Sequence, residues 1–197
     1  MTVVGELGLV ESGVGCSGAM NSLRLFVAAY PPPEITAELT AAATQYAPAN
    51  ARLTPPDQIH LTLLFLGSVR TSDIDTVAES TDRAASGRGG CTLRITSVAS
   101  LPESGEPRLL AALADADTNA LEVQRRLASR LAILRPKASR EKFAPHLTLA
   151  RFQPATPRLA RQLITPLVWT LRSMRLMRST LLPGGAVHSL VHETTLQ

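Results

Sequence analysis

Ile59-His60-Leu61-Thr62-Leu63-Leu64-Phe65-Leu66-Gly67 and Pro145-His146-Leu147-Thr148-Leu149-Ala150-Arg151 share the tetrad His-Leu-Thr-Leu, repeated 86 residues apart. In an extended strand, side chains at i and i+2 point to one face. His60 and Thr62 therefore look one way and Leu61 and Leu63 the other, and the second copy divides into His146/Thr148 and Leu147/Leu149. A lone histidine among leucines is more often a satisfied core or edge residue. A duplicated structural unit would keep its leucines, but it has less reason to keep a histidine and a threonine in each copy. Two such strands point to an acid and a base facing each other across a cleft.

Working outward, residues 23–29 form a short apolar run ended by Pro31-Pro32-Pro33 and read as a buried strand. A helix follows over 34–47, then the first motif strand over 59–66, closed by Gly67. Ser72 caps a helix to about residue 85, and strands follow at 91–98 and 108–114. Asp117 or Thr118 caps a long helix with Leu121, Leu127, Leu131 and Leu134 on one side. The second motif strand spans 143–152, Thr156-Pro157 starts a short helix, and residues 168–178 alternate around Trp169, Leu171 and Met177. A last strand covers 186–191, with Trp169 expected in the core. Many links are too short for parallel crossovers, so the fold class is α+β with antiparallel sheets. Strand–helix–motif strand–helix recurs in both halves, which predicts two related lobes.

The chain has 197 residues, 45% hydrophobic and 18% charged, enough for one domain with a full core. No apolar run approaches the roughly 18 residues of a membrane span. Residues 1–21 are Gly/Ser-rich, carry Glu6 and Glu11 and lack a basic start, so they are expected to be a disordered tail, with the domain over 22–197 and Met20 as an alternative start. Cys16 and Cys91 have no partners at metal-ligand spacing, which fits a reducing, cytoplasmic setting. Charge is lopsided. Residues 120–178 hold thirteen Arg or Lys against Glu122 and Glu141, a net of +11, so the remainder of this +4 chain carries −7. That surplus fits an anionic partner such as phosphate, or a solvated arginine-rich surface.

Two histidines and two threonines converging on one space suit attack on phosphorus. A neutral imidazole can deprotonate water while a protonated one donates to the leaving oxygen. Threonine hydroxyls can hold non-bridging oxygens, and an arginine can clamp them. Arg151 directly follows the second motif, but simple alternation places it opposite His146, so its use requires a strand end or a bulge. Phe65 could stack on a nucleobase, yet alternation puts it with the leucines, and core packing is the expectation unless the strand bulges after Leu63. His188 and His192 are expected at the surface or rim.

The two His-x-Thr segments resemble those of the 2H phosphoesterase superfamily, together with Leu23-Arg24-Leu25-Phe26-Val27-Ala28 and Ser179-Thr180-Leu181-Leu182-Pro183-Gly184-Gly185. The resemblance is strongest to its LigT-like branch, the RNA 2′,3′-cyclic phosphodiesterases, also called 2′–5′ RNA ligases. It implies a bilobal fold of two pseudo-symmetric lobes, each with an antiparallel sheet and flanking helices, and an active-site cleft between them. It also implies opening of an RNA-terminal 2′,3′-cyclic phosphate to a 2′-phosphate without metal or cofactor. By that analogy His60 protonates the departing ribose oxygen and His146 activates water, although these labels can be exchanged. Thr62, Thr148 and Arg151 would then contact the phosphate. The implied partner is RNA with a cyclic phosphate end or a related nucleotide, acted on by a monomer away from membranes. Leu53, Leu109 and Leu110 stand where the family often has aromatics. A phosphodiesterase of small cyclic nucleotides and a non-catalytic RNA-end-binding module are the alternatives.

Overall fold

A computed structural model describes residues 22–134, 143–183 and 185–196, so the expected tail over 1–21, with Cys16 and Met20, lies outside the described residues. The elements run β1 (Ser22–Ala29), α1 (Pro33–Tyr46), β2 (Arg52–Leu53), β3 (Leu61–Arg70), α2 (Ile74–Ala85), β4 (Cys91–Leu101) and β5 (Leu109–Ala116), then α3 (Thr118–Arg130), β6 (His146–Arg151), β7 (Gln162–Leu171), β8 (Ser173–Leu182) and β9 (Gly185–Thr195). The main strands lie in the order β7-β4-β5-β6-β3-β1-β8-β9, antiparallel throughout, with β2 added beside β6.

This order is symmetric about the β6–β3 junction. The strands β3-β1-β8-β9 form one lobe and β6-β5-β4-β7 the other, with the chain exchanging strands between them: β4 joins β5, and the hairpin β8-β9 joins β1 through β8. The motif strands meet where Leu61 pairs with Leu147. Both leucines are fully buried, and Leu63 and Leu149 sit in the same core. Burial of each is worth about 2 kcal/mol relative to exposure, so the leucine half of the repeated tetrad builds the joint between the lobes.

The helices cover one side of the strands through Leu39 of α1, Val77 of α2 and Val123 and Leu127 of α3. Asp117, not Thr118, caps α3: its Oδ1 accepts from the Ala120 amide at 2.8 Å, and its Oδ2 accepts from the Thr92 amide of β4 at 2.8 Å. One carboxylate thus starts the helix and ties it to the sheet.

Several expectations are corrected. Gly67 does not close the first motif strand. Its positive φ of 76° lies inside β3 and bends the strand, which continues to Arg70. Ser72 does not cap α2; its hydroxyl donates to Asp73 within a 3-10 turn. Leu121 is 44% exposed, because a step of six positions rotates it about 120° around α3 from the buried Leu127. No helix follows Thr156. The Thr156 hydroxyl turns back to the Gln153 carbonyl, and the Leu159 amide donates to Ser100 Oγ, so this segment is satisfied by its neighbours and not by a helical ladder. Residues 168–178 are two strands broken at Arg172. The buried positions change phase there, from Trp169 and Leu171 to Met174 and Leu176, while Met177 packs on the other side with Phe26. Trp169 is buried, as expected.

Candidate active site

The side of the sheet away from the helices carries the polar half of each tetrad. Extending the Leu61–Leu147 register sets His60 opposite Thr148 and Thr62 opposite His146. Each threonine also faces an alanine on its outer neighbour, Ala28 for Thr62 and Ala111 for Thr148. These two alanines are fully buried.

Both motif strands then bulge at the same place. Pairing of β1 with β3 passes from Ala28–Thr62 to Val27–Leu64, skipping Leu63, and pairing of β5 with β6 passes from Ala111–Thr148 to Leu110–Ala150, skipping Leu149. The extra residue resets the alternation. Leu63 and Leu64 both face the core, as do Leu149 and Ala150. The fifth residue after each histidine therefore returns to the polar face: Phe65 in one lobe, Arg151 in the other. Arg151 reaches the cleft by the route its parity demands. Phe65 departs from the expected core position and packs with Phe26, Ala28, Met177 and Tyr30, with the Arg24 guanidinium 4.8 Å above its ring.

His60, Thr62, Thr148 and Arg151 line one cavity of about 130 Å³, joined by Arg52, Gln58 and His188. That is room for about four waters, suited to a phosphoryl group with the rest of a nucleotide outside. The His60 Nδ1 lies 2.7 Å from the Gln58 carbonyl and the His146 Nδ1 lies 2.8 Å from the Ala144 carbonyl. A carbonyl only accepts, so in both rings the proton sits on Nδ1, and the neutral imidazole keeps its lone pair on Nε2. The rings are matched in tautomer but not in surroundings, since His60 lines the cavity and His146 is not among its lining residues.

His60 rests among aromatic neighbours, 5.2 Å from Phe26, 5.4 Å from Tyr30 and 5.1 Å from His188 between ring centroids. Burial by these rings holds its pKa down at about 4, against the help of the Gln58 carbonyl, and the nearby His188, Arg151 and His146 lower it further. Burial and Arg151 also lower His188, while Asp57 at the rim acts the other way. Of the seven Phe, Tyr and Trp residues in this aromatic-poor chain, two stand beside His60 and a third, Phe65, packs in the same cluster.

The structure corrects the expectation of His188 at the surface or rim: strand β9 carries it opposite Ser179 into the cleft. His192 is partly exposed and pairs with Asp82 of α2 at 2.8 Å. Arg52 is a further cavity residue that the sequence reading does not single out. Its guanidinium packs over Gly185, whose φ of +124° favours glycine, while the flexible Arg52 tip could move away from an added Cβ. The basic surplus of residues 120–178 contributes Arg151 to this cavity, whereas Arg125 and Arg126 pair with Glu122. Among the described residues no three His, Cys, Asp or Glu side chains are grouped to hold a metal ion, and no helix is long and apolar enough to cross a membrane. A larger groove of about 700 Å³ beyond Tyr30 is walled by prolines and Ile59 and holds none of the motif side chains.

Residues 31–181 match the family model of the 2′-5′ RNA ligase superfamily. An RNA 2′,3′-cyclic phosphodiesterase of Thermus thermophilus is 31% identical over 181 residues, covering 89% of this chain and 91% of that protein. The crystal structure of the Thermus thermophilus protein TT0787 superposes with a TM-score of 0.80 at 31% identity, over 88% of this chain and 98% of the other. The structure of E. coli LigT complexed with NADP+ shares the fold, with a TM-score of 0.71 at 22% identity over 89% and 98% of the two chains.

Proposed function

This chain belongs to the 2′-5′ RNA ligase superfamily, and we propose that it opens 2′,3′-cyclic phosphates at RNA ends by metal-independent hydrolysis between His60 and His146. The observation that carries this reading is the matched pair of imidazoles, each fixed through Nδ1 by a backbone carbonyl and each presenting Nε2. Water attacks phosphorus as one histidine takes its proton. The bond from phosphorus to the ribose 3′-oxygen breaks, and the other histidine protonates that oxygen. The products are a 2′-phosphate and a free 3′-hydroxyl, with one proton moved from one imidazole to the other and restored through solvent.

Thr62 and Thr148 donate to the non-bridging oxygens from opposite lobes, and Arg151 adds a charged contact where negative charge accumulates. The cavity is small enough that the nucleoside would extend beyond it, and Phe65, on the same face as His60 and Thr62, could stack on a base only if the Arg24 guanidinium over its ring moved aside. The cyclic phosphodiesterase name of the Thermus thermophilus relative supports the substrate class. By the family analogy, His60 is the acid and His146 the base. Burial alone keeps His60 neutral near pH 7, so this assignment requires the anionic substrate to favour its imidazolium, which then carries the donated proton on Nε2.

Assay of a 2′,3′-cyclic phosphate oligonucleotide in EDTA tests the scheme. The wild type turns over, and His60→Ala and His146→Ala each lose at least about 10²-fold, the usual worth of a positioned acid or base. A substrate with a p-nitrophenolate leaving group needs no protonation. It restores the rate of the variant that lacks the acid, His60→Ala, and leaves His146→Ala slow. Full activity of either variant on the oligonucleotide refutes the two-histidine mechanism.

A further inference from the structure

The cleft holds a third imidazole, and its hydrogen-bonding is the reverse of the other two. His188 Nδ1 is buried and has no partner in hydrogen-bond reach. A buried N–H without an acceptor is costly, and such orphans are rarer than unpaired acceptors. A neutral ring avoids that cost by leaving Nδ1 bare and carrying its proton on Nε2. His188 lines the same cavity as Thr62, Thr148 and Arg151, which makes Nε2 its polar atom open to the cleft. Its ring stands edge-on to His60 at 84° and to Phe26 at 67°, so its orientation is fixed from two sides.

We infer that His188 is a substrate-contacting residue whose Nε2–H donates a hydrogen bond to a non-bridging oxygen of the cyclic phosphate. His60 and His146 present lone pairs that exchange protons, whereas His188 presents a proton that it keeps. It acts as a fixed neutral donor aimed at the charge that grows on the phosphoryl oxygens during attack. Burial and the adjacent Arg151 hold the ring neutral, and a neutral donor here adds no further repulsion to a cleft already carrying Arg52 and Arg151. The inference rests on the phosphodiesterase reading above.

Two substitutions separate donation from packing. His188→Phe keeps an aromatic ring against His60 and Phe26 but loses the N–H, while His188→Gln keeps a side-chain N–H donor. On the cyclic phosphate oligonucleotide, His188→Phe should lower kcat by about 10²-fold, the cost of one lost donor to developing charge. Its KM should change little, and His188→Gln should recover most of the lost kcat. Wild-type kcat in His188→Phe overturns the inference and leaves the two-histidine mechanism standing. A second readout needs no turnover: ¹⁵N NMR of the wild type should show His188 protonated at Nε2, with that resonance moving as inorganic phosphate is added. A proton on Nδ1, or a resonance indifferent to phosphate, also overturns it. Inactive wild type that shows the phosphate-linked shift would refute the phosphodiesterase reading while supporting His188 as the donor.

Discussion

Acidification should destabilise this protein chiefly through one imidazole, with the lowered His188 acting in the same direction. Folded His60 titrates at about 4, chiefly because Phe26, Tyr30 and His188 bury it, whereas an unfolded histidine titrates near 6.5. Between those values the unfolded chain binds the proton and the folded one does not, so stability falls as pH falls through that window. The contribution is complete above 6.5 and exhausted below about 4, where both states are protonated. At about 1.4 kcal/mol per pH unit, the whole window is worth roughly 3 kcal/mol, a large part of a typical stability of about 5–15 kcal/mol. His60→Asn isolates it, because asparagine can still set an amide N–H against the Gln58 carbonyl and has nothing to titrate. Urea denaturation followed by circular dichroism at pH 7 and pH 4.5 should show the wild type losing about 2–3 kcal/mol more than the variant. Inorganic phosphate should shrink that excess, since an anion in the cleft favours the imidazolium. Parallel losses in the two proteins, or an NMR titration of His60 near 6.5, would refute the account of a desolvated His60.

Two other substitutions test the frame and the anion contact. Asp117→Ala removes both the cap of α3 and the acceptor for the Thr92 amide; urea denaturation should show a loss of about 2 kcal/mol, the upper end for a cap, with kcat unchanged. Arg151→Ala removes the bulge-placed cation, so KM for the cyclic phosphate should rise by about tenfold or more and the salt dependence of substrate binding should flatten. Unaltered salt dependence would remove Arg151 from the substrate's path.

How far the sequence can be read depends on whether neighbours in space are needed. The division of each tetrad into a leucine half and a His/Thr half follows from strand geometry alone, and Leu61, Leu63, Leu147 and Leu149 occupy the core accordingly. Alternation then fails at the first bulge. Leu63-Leu64 and Leu149-Ala150 are two apolar residues in succession, and that doubling is the local trace of the extra residue, but a buried strand end reads the same way. Alternation therefore puts Phe65 on the wrong side and leaves Arg151 conditional. His188 has no local signal at all. It reaches the cleft because β8 carries β9 beside β1, a pairing between distant segments. The depressed titration of His60 is equally out of reach, since the rings that bury it come from β1, the residue after it, and β9.

The bulges also explain how a nearly two-fold arrangement can treat an unsymmetrical substrate. Histidine, threonine and the alanine facing it repeat in both lobes, so these parts alone would hold a phosphoryl group equally well in either sense. The next position on the same face breaks the symmetry: Phe26 is opposite Phe65 in one lobe, and Leu109 is opposite Arg151 in the other. An aromatic pair accepts a ring and offers nothing to an anionic oxygen, while a guanidinium beside an aliphatic side chain does the opposite. Under the proposed function, a cyclic nucleotide end would lie with its base toward Phe65 and its non-bridging oxygens toward Arg151, which would bring one particular ribose oxygen to one particular histidine. On the proposed reading, which ribose oxygen meets which histidine is therefore set by the residue five places beyond each histidine, since both imidazoles carry the same tautomer.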